Sequence, residues 1–584
     1  MSRAETIADE ARSSADLLAD HLYDWLPWLL AAAVAFVLLY QLGSVALFEP
    51  DEGRNAEKAR EILLLNDWTT PHENFYPVLD KPIFFYWLIA LFYKLFGVSE
   101  WTARLPSLLS ALGCVFLIYC FSRAHWGRWV ALWSALVLLT SVEFFFLARI
   151  VIFDMPLSFC VTVALLAFYE AEHTENHRRR AALCLAMYLA LGAGTLIKGL
   201  VALVIPGMVF FLFILLRRRW QILRRIYLIS GAGVFLAVVL PWYLQAEARN
   251  PGYLNYYLWA EHFGRYTTAS FDRSAPWYYF IGVALVGFFP WTPVLPWIVK
   301  NLWRRSWDDK TVYLVLWISV PLLFFSASHS KLPHYILPIF PALSILTGAT
   351  LIGLYEQSGS KLRWAMISVW VVQSLNALYL LLGLFYPAIL AHQIRERFSD
   401  IAFLLWLYAI VSLLILGFMA SRRITHDRVR QGPIYLAQVL GLSLFFVLLA
   451  EVMISVAPDR SAKQTAVAVL SHLGSGEQVV LFETYMSGLP FYLHAERPVW
   501  LITHENKKRT FLGNYYAIGK RHDPVTPWGK AIFNLNDFSK QWKSRMQPFL
   551  VILKDKNLDQ LAETIGETPK PLARIDEYVL VSNR

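Results

Sequence analysis

Charge is what this 584-residue chain has little of: Asp, Glu, Lys and Arg make up 16% of it, against about 25% in soluble domains. That deficit excludes an ordinary water-soluble globule. Cysteine is scarcer still. The four are Cys114, Cys120, Cys160 and Cys184. Each lies in an apolar stretch, so neither a disulfide framework nor a thiolate metal site is expected. There is no Walker A sequence, no GxGxxG before a helix, no HExxH and no nucleophile elbow. These absences argue against nucleotide hydrolysis, dinucleotide chemistry, zinc proteolysis and serine hydrolysis. No internal repeat or low-complexity tract is evident. The net charge of +10 does not indicate nucleic acid, because the basic residues sit in short loops between apolar runs, where orientation signals belong.

Apolar residues are abundant. The chain is 57% hydrophobic, with 23 Trp and 39 Phe, and its mean hydropathy is +0.44. A helix crosses the hydrocarbon core in roughly 20 residues and satisfies its own backbone there. About thirteen spans are expected on this length rule. They lie near 25–47, 101–122, 129–148, 151–170, 182–198, 200–216, 226–245, 277–299, 311–327, 335–355, 363–386, 401–420 and 434–457. With the N-terminus inside, the loops holding Arg123/Arg128, Arg178–Arg180, Arg217–Arg225, Lys300–Lys310, Lys361/Arg363 and Arg422–Arg430 all fall inside, as the positive-inside rule asks. Residues 49–100, 143–154, 198–199, 246–276, 326–334 and everything after 457 then lie outside.

The expected fold class is a polytopic α-helical membrane protein with a C-terminal α/β domain. Residues 1–24 lack the order of a cleaved signal peptide and read as a cytoplasmic lead-in. Residues 25–457 form the membrane domain, with a first outer loop at 49–100. Within that loop, Ile83 to Phe96 is too short to span and reads as an interfacial or re-entrant helix. Residues 458–584 form the exported domain. There Ala462–Leu473 reads as helix, and Val479–Phe482, Val499–Ile502, Leu550–Leu553 and Tyr578–Val581 read as strands.

The chemistry-bearing residues cluster on the outer side. Pro50 to Glu61, PDEGRNAEKARE, packs Asp51, Glu52, Arg54, Glu57, Lys58, Arg60 and Glu61 beside the first span. Asp51 there is a candidate general base; the plainer reading is an acidic helix start. Arg60 and Glu61 read as partners along a solvated helix. Lys81, in Asp80-Lys81-Pro82, is a candidate phosphate ligand or a snorkelling lysine. Asp154 sits in ARIVIFDMPL, where a charge between apolar runs is costly and points to function; capping is the alternative. Glu261 to Tyr266, with Asp272 and Arg273, combines Arg with aromatics and suits either an anion or the interface. Ser328 to Tyr335 gathers Lys331, His334 and Tyr335, without zinc-site spacing. Lys198 precedes Gly199 in a long apolar stretch and needs an anion or the interface. In the tail, Glu483, Tyr485, Glu496 and His504 are open to a substrate contact, with solvated surface the plainer reading.

In order along nearly the whole chain, PDEGRNAEKAREI, NDWTTP, DKPIFFYW, WTARLPS, ARIVIFDMPL, TLIKGLVALVIPG, EHFGRY…PWYY, SKLPHYILPIFPAL, GLPFYLHAERPVWLI and EYVLVSN resemble the GT-C-type, polyprenyl-phosphate-dependent membrane glycosyltransferases. Within these the chain is most similar to the bacterial aminoarabinose (lipid A) transferases, relatives of the protein O-mannosyltransferases. The resemblance implies thirteen transmembrane helices, a periplasmic α/β domain and a site on the outer face of the bacterial inner membrane. It implies a polyprenyl phosphate-linked sugar donor and an acceptor that is lipid A, another glycolipid or a protein, with no nucleic-acid partner. It makes Asp51 and Asp154 the catalytic candidates. Glu52, Arg54, Lys81, Tyr86, Lys198, Arg265, Lys331, His334 and Tyr335 become the substrate-binding ones. The acidic position before Lys-Pro, linked to a divalent metal in relatives, is Asp80 here where Glu is frequent; Asp80 is the candidate metal ligand. Position 83 is Ile83 where a second Pro is frequent.

The expected activity is inverting transfer of a sugar such as 4-amino-4-deoxy-L-arabinose to an envelope acceptor. The alternatives are a protein O-mannosyltransferase-like enzyme and, in another class, a transporter or flippase of a lipid-linked substrate. Transporters carry charges near the midplane and related halves; here the charges gather at one surface and the halves look unrelated.

Overall fold

A computed structural model describes residues 36–267, 274–304, 307–357, 359–385, 398–421, 431–504 and 526–583, with a few isolated positions before 36. The expected lead-in at 1–24 and several positions of the expected span at 25–47, all before residue 36, lie outside the described residues, as do Asp272 and Arg273.

The protein is a multi-span membrane protein. Among the described residues nine helices are long and apolar enough to cross a membrane, or eleven if each of two bent pairs is one span. The expected span at 200–216 is a 17-residue apolar helix, Val201–Arg217. The spans expected at 129–148 and 277–299 are the bent pairs. Arg128–Leu139 meets Val142–Ala148 at 67°, and Tyr279–Gly287 meets the helix ending at Trp303 at 109°. Uninterrupted hydropathy hides such breaks. The four cysteines are free thiols.

Helix α1, Asp51–Leu65, begins with two acidic residues, which complement its N-terminal dipole. It ends where Asn66 takes a left-handed conformation, φ 50°. The sequence suggests a solvated helix, but most of it is buried: Glu57, Lys58 and Glu61 are fully inaccessible and Arg60 is 7% exposed. The expectation for Arg60 and Glu61 is therefore corrected. Arg60 makes two bonds of 2.7 Å to Glu57 and one of 2.6 Å to the carbonyl of Ala495. Helix α2, Phe84–Phe96, is the expected short apolar helix.

Two buried arginines fix the chain leading into α1, and one of them also grips α1 itself. Arg149 donates to the carbonyls of Val37, Leu38 and Tyr40 at 2.6–2.9 Å. Arg104 donates to the carbonyls of Leu42, Val45 and Ala46 and grips both oxygens of Glu52 at 2.9 and 3.0 Å. Backbone carbonyls without partners in a buried setting are thereby satisfied.

The C-terminal part carries a six-stranded sheet. Its strands are β1 (Gln478–Phe482), β2 (Trp500–Ile502), β3 (Ile532–Phe533), β4 (Phe549–Lys554), β5 (Pro571–Ile575) and β6 (Tyr578–Ser582), in the order β3-β2-β1-β4-β6-β5. The first four strands are parallel, and β6 pairs antiparallel with both β4 and β5. All four expected strands are present. Strands β3 and β5 escape a sequence reading: one has two residues, the other is a largely exposed edge. Alternation along the strands gives two faces. Val480, Phe482, Val551 and Leu553 pack on the domain's own Phe538 and Trp542. Val479, Leu481, Leu550 and Ile552 join the core that continues into the helical region. The sheet therefore sits on the helices, with the segment between β1 and β2 against α1.

Candidate active site

At the end of the bundle where helix Asp154–His173 begins and helix His177–Lys198 ends, a cavity of about 310 Å³ opens among Lys81, Asp154, Lys198, Glu261, His262 and Tyr335. The rest of its wall is mostly apolar, including Leu157, Val201, Val204 and Phe324. A mostly apolar cavity with a few charged side chains in its wall suits an amphiphile with an anionic head.

Asp154 is 3% exposed and faces the Lys198 ammonium and the His334 ring. Oδ1 bonds the Lys198 ammonium, and Oδ2 lies 3.6 Å from Nε2 of His334. The Lys198 ammonium also stands 4.6 Å over the ring of Tyr335. The turn that presents Lys198 needs glycine: Gly199 has φ +91°, and a Cβ there would meet His262 and Tyr257. Nε2 of His262 accepts the backbone N–H of Leu200 at 3.1 Å, while Nδ1 faces the carbonyl of Tyr257 at 2.9 Å. His262 thus bears on Leu200, two residues past Lys198.

Lys81 contacts Glu261 at 3.1 Å, and the hydroxyl of Tyr256 donates to the other Glu261 oxygen at 3.1 Å. Glu261 lies in a π-helical stretch, Tyr256–Gly264, a form common at functional sites. From Asp80, beside Lys81, a series of alternating charges runs to Asp51. Asp80 pairs with Lys58 at 2.7 Å, Lys58 with Glu73 at 3.7 Å, Glu73 with Arg54 at 3.3 Å and Arg54 with Asp51 at 3.8 Å. Burial pushes the Asp80 carboxyl up, but Lys58, Lys81 and Arg54 outweigh it and hold it well below the usual carboxylate range. Burial lowers the Arg54 guanidinium, while Glu73, Asp80 and Asp51 more than restore it, so it stays charged.

The predicted site residues divide by place. Lys81, Asp154, Lys198 and Tyr335 line the cavity, with His334 against Asp154. Asp51 is not in its wall; it is 70% exposed and connects through the ion series. Arg54 belongs to that series. Glu52 is not at the cavity either: besides Arg104, it accepts the N–H groups of Phe48 and Val151 at 3.0 and 2.7 Å. Tyr86 is buried beside Lys58. Lys331 is buried and donates to the carbonyl of Ser328, outside the cavity wall. Arg265 opens the short helix Arg265–Thr267, directly after the π-helical stretch. Among the described residues no three His, Cys, Asp or Glu side chains converge to hold a metal. Asp80, with Lys58 and Lys81 beside it, does not fit a dication.

Glu73 and Glu261 are absent from the sequence-based site list. The legible signal is the spacing of Asp51, Arg54 and Lys58, which places three charges on one helical face and demands counter-charges elsewhere. The tail residues need correction too. Glu483 is buried, and Tyr485 donates to Glu73 at 3.3 Å.

A family model for dolichyl-phosphate-mannose-protein mannosyltransferases matches residues 80–244. The undecaprenyl phosphate-α-4-amino-4-deoxy-L-arabinose arabinosyl transferase of Aeromonas hydrophila is 31% identical over 368 residues, 62% of this chain and 66% of that protein. The enzyme of the same name from Edwardsiella ictaluri is 31% identical over 395 residues, 65% of this chain and 71% of that protein. The match to the first spans just under two thirds of the relative's length. The crystal structure of ArnT from Cupriavidus metallidurans bound to undecaprenyl phosphate superposes with a TM-score of 0.81 at 27% identity, covering 96% of this chain and 98% of that one. The likeness shows the family: the chain belongs to that of the undecaprenyl phosphate-α-4-amino-4-deoxy-L-arabinose arabinosyl transferases.

Proposed function

We propose that the protein transfers 4-amino-4-deoxy-L-arabinose from a polyprenyl phosphate to lipid A or another envelope acceptor. The observation that carries this reading is the cavity: mostly apolar walls for a prenyl tail, with Lys81 and Lys198 in its lining for its phosphate. The site and the domain at 458–584 face the periplasm, as the basic loops at the opposite ends of the spans indicate.

In this mechanism the lipid phosphate is held by Lys81 and Lys198, with Arg265 close by in sequence. An acceptor oxygen attacks the anomeric carbon from the opposite face, and the bond from that carbon to the phosphate oxygen breaks. The configuration inverts. The phosphate departs as an anion already matched by fixed cations, so it requires no proton from an acid. Preorganised donors of this kind contribute about 3–4 kcal/mol each when measured by deletion. Asp51 receives the proton of a hydroxyl acceptor; with a phosphate acceptor, already ionised, it orients the incoming group. Asp154 holds Lys198 and His334 in place.

The test is Asp51→Asn in protein reconstituted with undecaprenyl phosphate-linked aminoarabinose and lipid A. Transfer should fall at least a hundredfold or so, with the melting temperature unchanged because the side chain is 70% exposed. Full activity would remove Asp51 from the mechanism. Mass spectrometry of envelope lipids from cells with and without the gene identifies the acceptor.

A further inference from the structure

Helix Phe340–Gln357 begins just after Tyr335 of the active-site cavity. At about 1.5 Å per residue it carries the chain roughly 25 Å, to the opposite end of the bundle. There a second cavity, of about 50 Å³, lies between this helix, helix Leu295–Arg304 and helix Gly359–Phe385. Lys300 and Lys361 line it, beside the polar side chains of Asn301, Thr350 and Gln357. A single water needs about 10–15 Å³ of such space, so a group of several heavy atoms fits.

These two lysines differ from other cations at the same end of the bundle. Arg217 and Arg219 meet Asp309 at 2.9 and 2.7 Å, and Arg225 meets Glu175 at 3.0 Å. Among the described residues no Asp or Glu lines the second cavity. Lys361 donates to the neutral Gln357 side-chain oxygen at 2.9 Å, and the Lys300 ammonium lies 5.8 Å from the centre of the Trp297 ring. Two like charges brought to one cleft from different helices repel each other until an anion joins them.

We propose that this cleft binds the phosphate of an anionic phospholipid in the leaflet opposite the active site. Lys300 and Lys361 bracket the phosphate, and the Asn301 and Gln357 amides take the hydroxyls of the headgroup. Basic pockets between spans bind anionic headgroups in this way. The surroundings favour a lipid over a free phosphate ion. Phe288 packs on Phe340 with ring centres 6.1 Å apart, and Asn301 bonds Thr350 at 3.4 Å, so the two segments descend side by side. Trp297 therefore lies on the membrane side of Lys300. Helix Gly359–Phe385 runs the other way, which puts Trp364, 60% exposed, on the membrane side of Lys361. Tryptophan beneath lysine suits the boundary between headgroups and acyl chains.

The experiment titrates the full-length protein in detergent with dioleoyl phosphatidylglycerol or dioleoyl phosphatidylethanolamine and reads bound lipid by native mass spectrometry. Lys300→Gln combined with Lys361→Gln should weaken phosphatidylglycerol binding about tenfold and leave phosphatidylethanolamine unchanged. Arg178→Gln with Arg224→Gln removes two exposed charges from the same end and should weaken it less than about twofold. Equal losses in the two double variants would reduce the effect to net charge and overturn the site. Inorganic phosphate at the concentration of the lipid should not displace it; displacement would make the ligand a free ion and overturn the assignment to a lipid. Photo-crosslinking of wild type, with a phosphatidylglycerol carrying its diazirine near the headgroup, needs no variant to fold. Label on the peptides that hold Lys300 and Lys361 supports the site, and label confined to other peptides overturns it.

Discussion

Glu49 and Gly488 are 439 residues apart in the chain, yet a Glu49 carboxylate oxygen accepts the backbone N–H of Gly488 at 2.6 Å. The other oxygen accepts from Ser487 at 2.9 Å. Close by, Gly53 of α1 meets Gly488 so tightly that a Cβ on Gly53 would stand 2.7 Å from the Gly488 Cα. Asn74 exchanges two bonds with the backbone of Val499, at 2.7 and 2.8 Å. The C-terminal domain therefore clasps the start of the helix that bears Asp51 and Arg54. Glu49→Ala leaves two backbone donors without their acceptor and should cost about 2–4 kcal/mol. Thermal unfolding in nanodiscs measures it. Glu49→Gln, which keeps an acceptor, should recover about half.

The same carboxyl makes the clasp sensitive to pH. Burial pushes Glu49 up to about 7 from an ordinary 4.5, against the lowering effect of the Gly488 and Ser487 N–H groups. The folded protein thus binds this proton more tightly than the unfolded chain does. Its contribution is complete below pH 4.5, declines as pH rises toward about 7 and is level above that. Wild type should lose more melting temperature between pH 5 and pH 8 than Glu49→Gln. Equal slopes for the two proteins would show that another group governs the dependence.

Arg104 and Glu52 form a buried pair whose parts do not substitute for each other. Arg104→Met strands the Glu52 carboxylate and frees three carbonyls, so a loss of about 3–5 kcal/mol is expected. Glu52→Gln keeps the acceptors for Phe48 and Val151 and should cost less. A double-mutant cycle should return a coupling energy of about 1–3 kcal/mol. Additive losses would mean that Arg104 acts through the carbonyls alone.

These relationships mark what the sequence could and could not disclose. Asp154 was legible because a charge among apolar residues needs a reason, and the structure supplies Lys198 and His334. Spans were legible through their length and hydropathy. The bends were not, since Thr140 and Ser141 interrupt nothing apolar enough to notice. Glu57, Arg60 and Glu61 look solvated in one dimension. Arg60 reaches the Ala495 carbonyl of a distant domain, Glu57 pairs with Arg60, and Glu61 accepts the N–H of Phe75. Glu49, Glu73 and Glu261 each take a partner far along the chain, Gly488, Ser487 and Lys81, and no local pattern encodes those pairings.

The turn at Gly199 connects backbone shape to activity most directly. Its φ of +91° disfavours any side chain, and the space a Cβ would occupy is taken by His262 and Tyr257. Gly199→Ala must shift either the turn or the π-helical stretch. The first moves Lys198 from Asp154, and the second moves His262 and Glu261. Since small displacements at a reacting centre are amplified in rate, transfer should fall about a hundredfold, while the melting temperature drops only a few degrees for a loss of about 1–2 kcal/mol. His262→Ala removes the obstruction but not the backbone strain. Combined with Gly199→Ala, it should restore some stability and little activity. If the double variant regained full transfer, crowding rather than the placement of Lys198 would be the reason glycine is required.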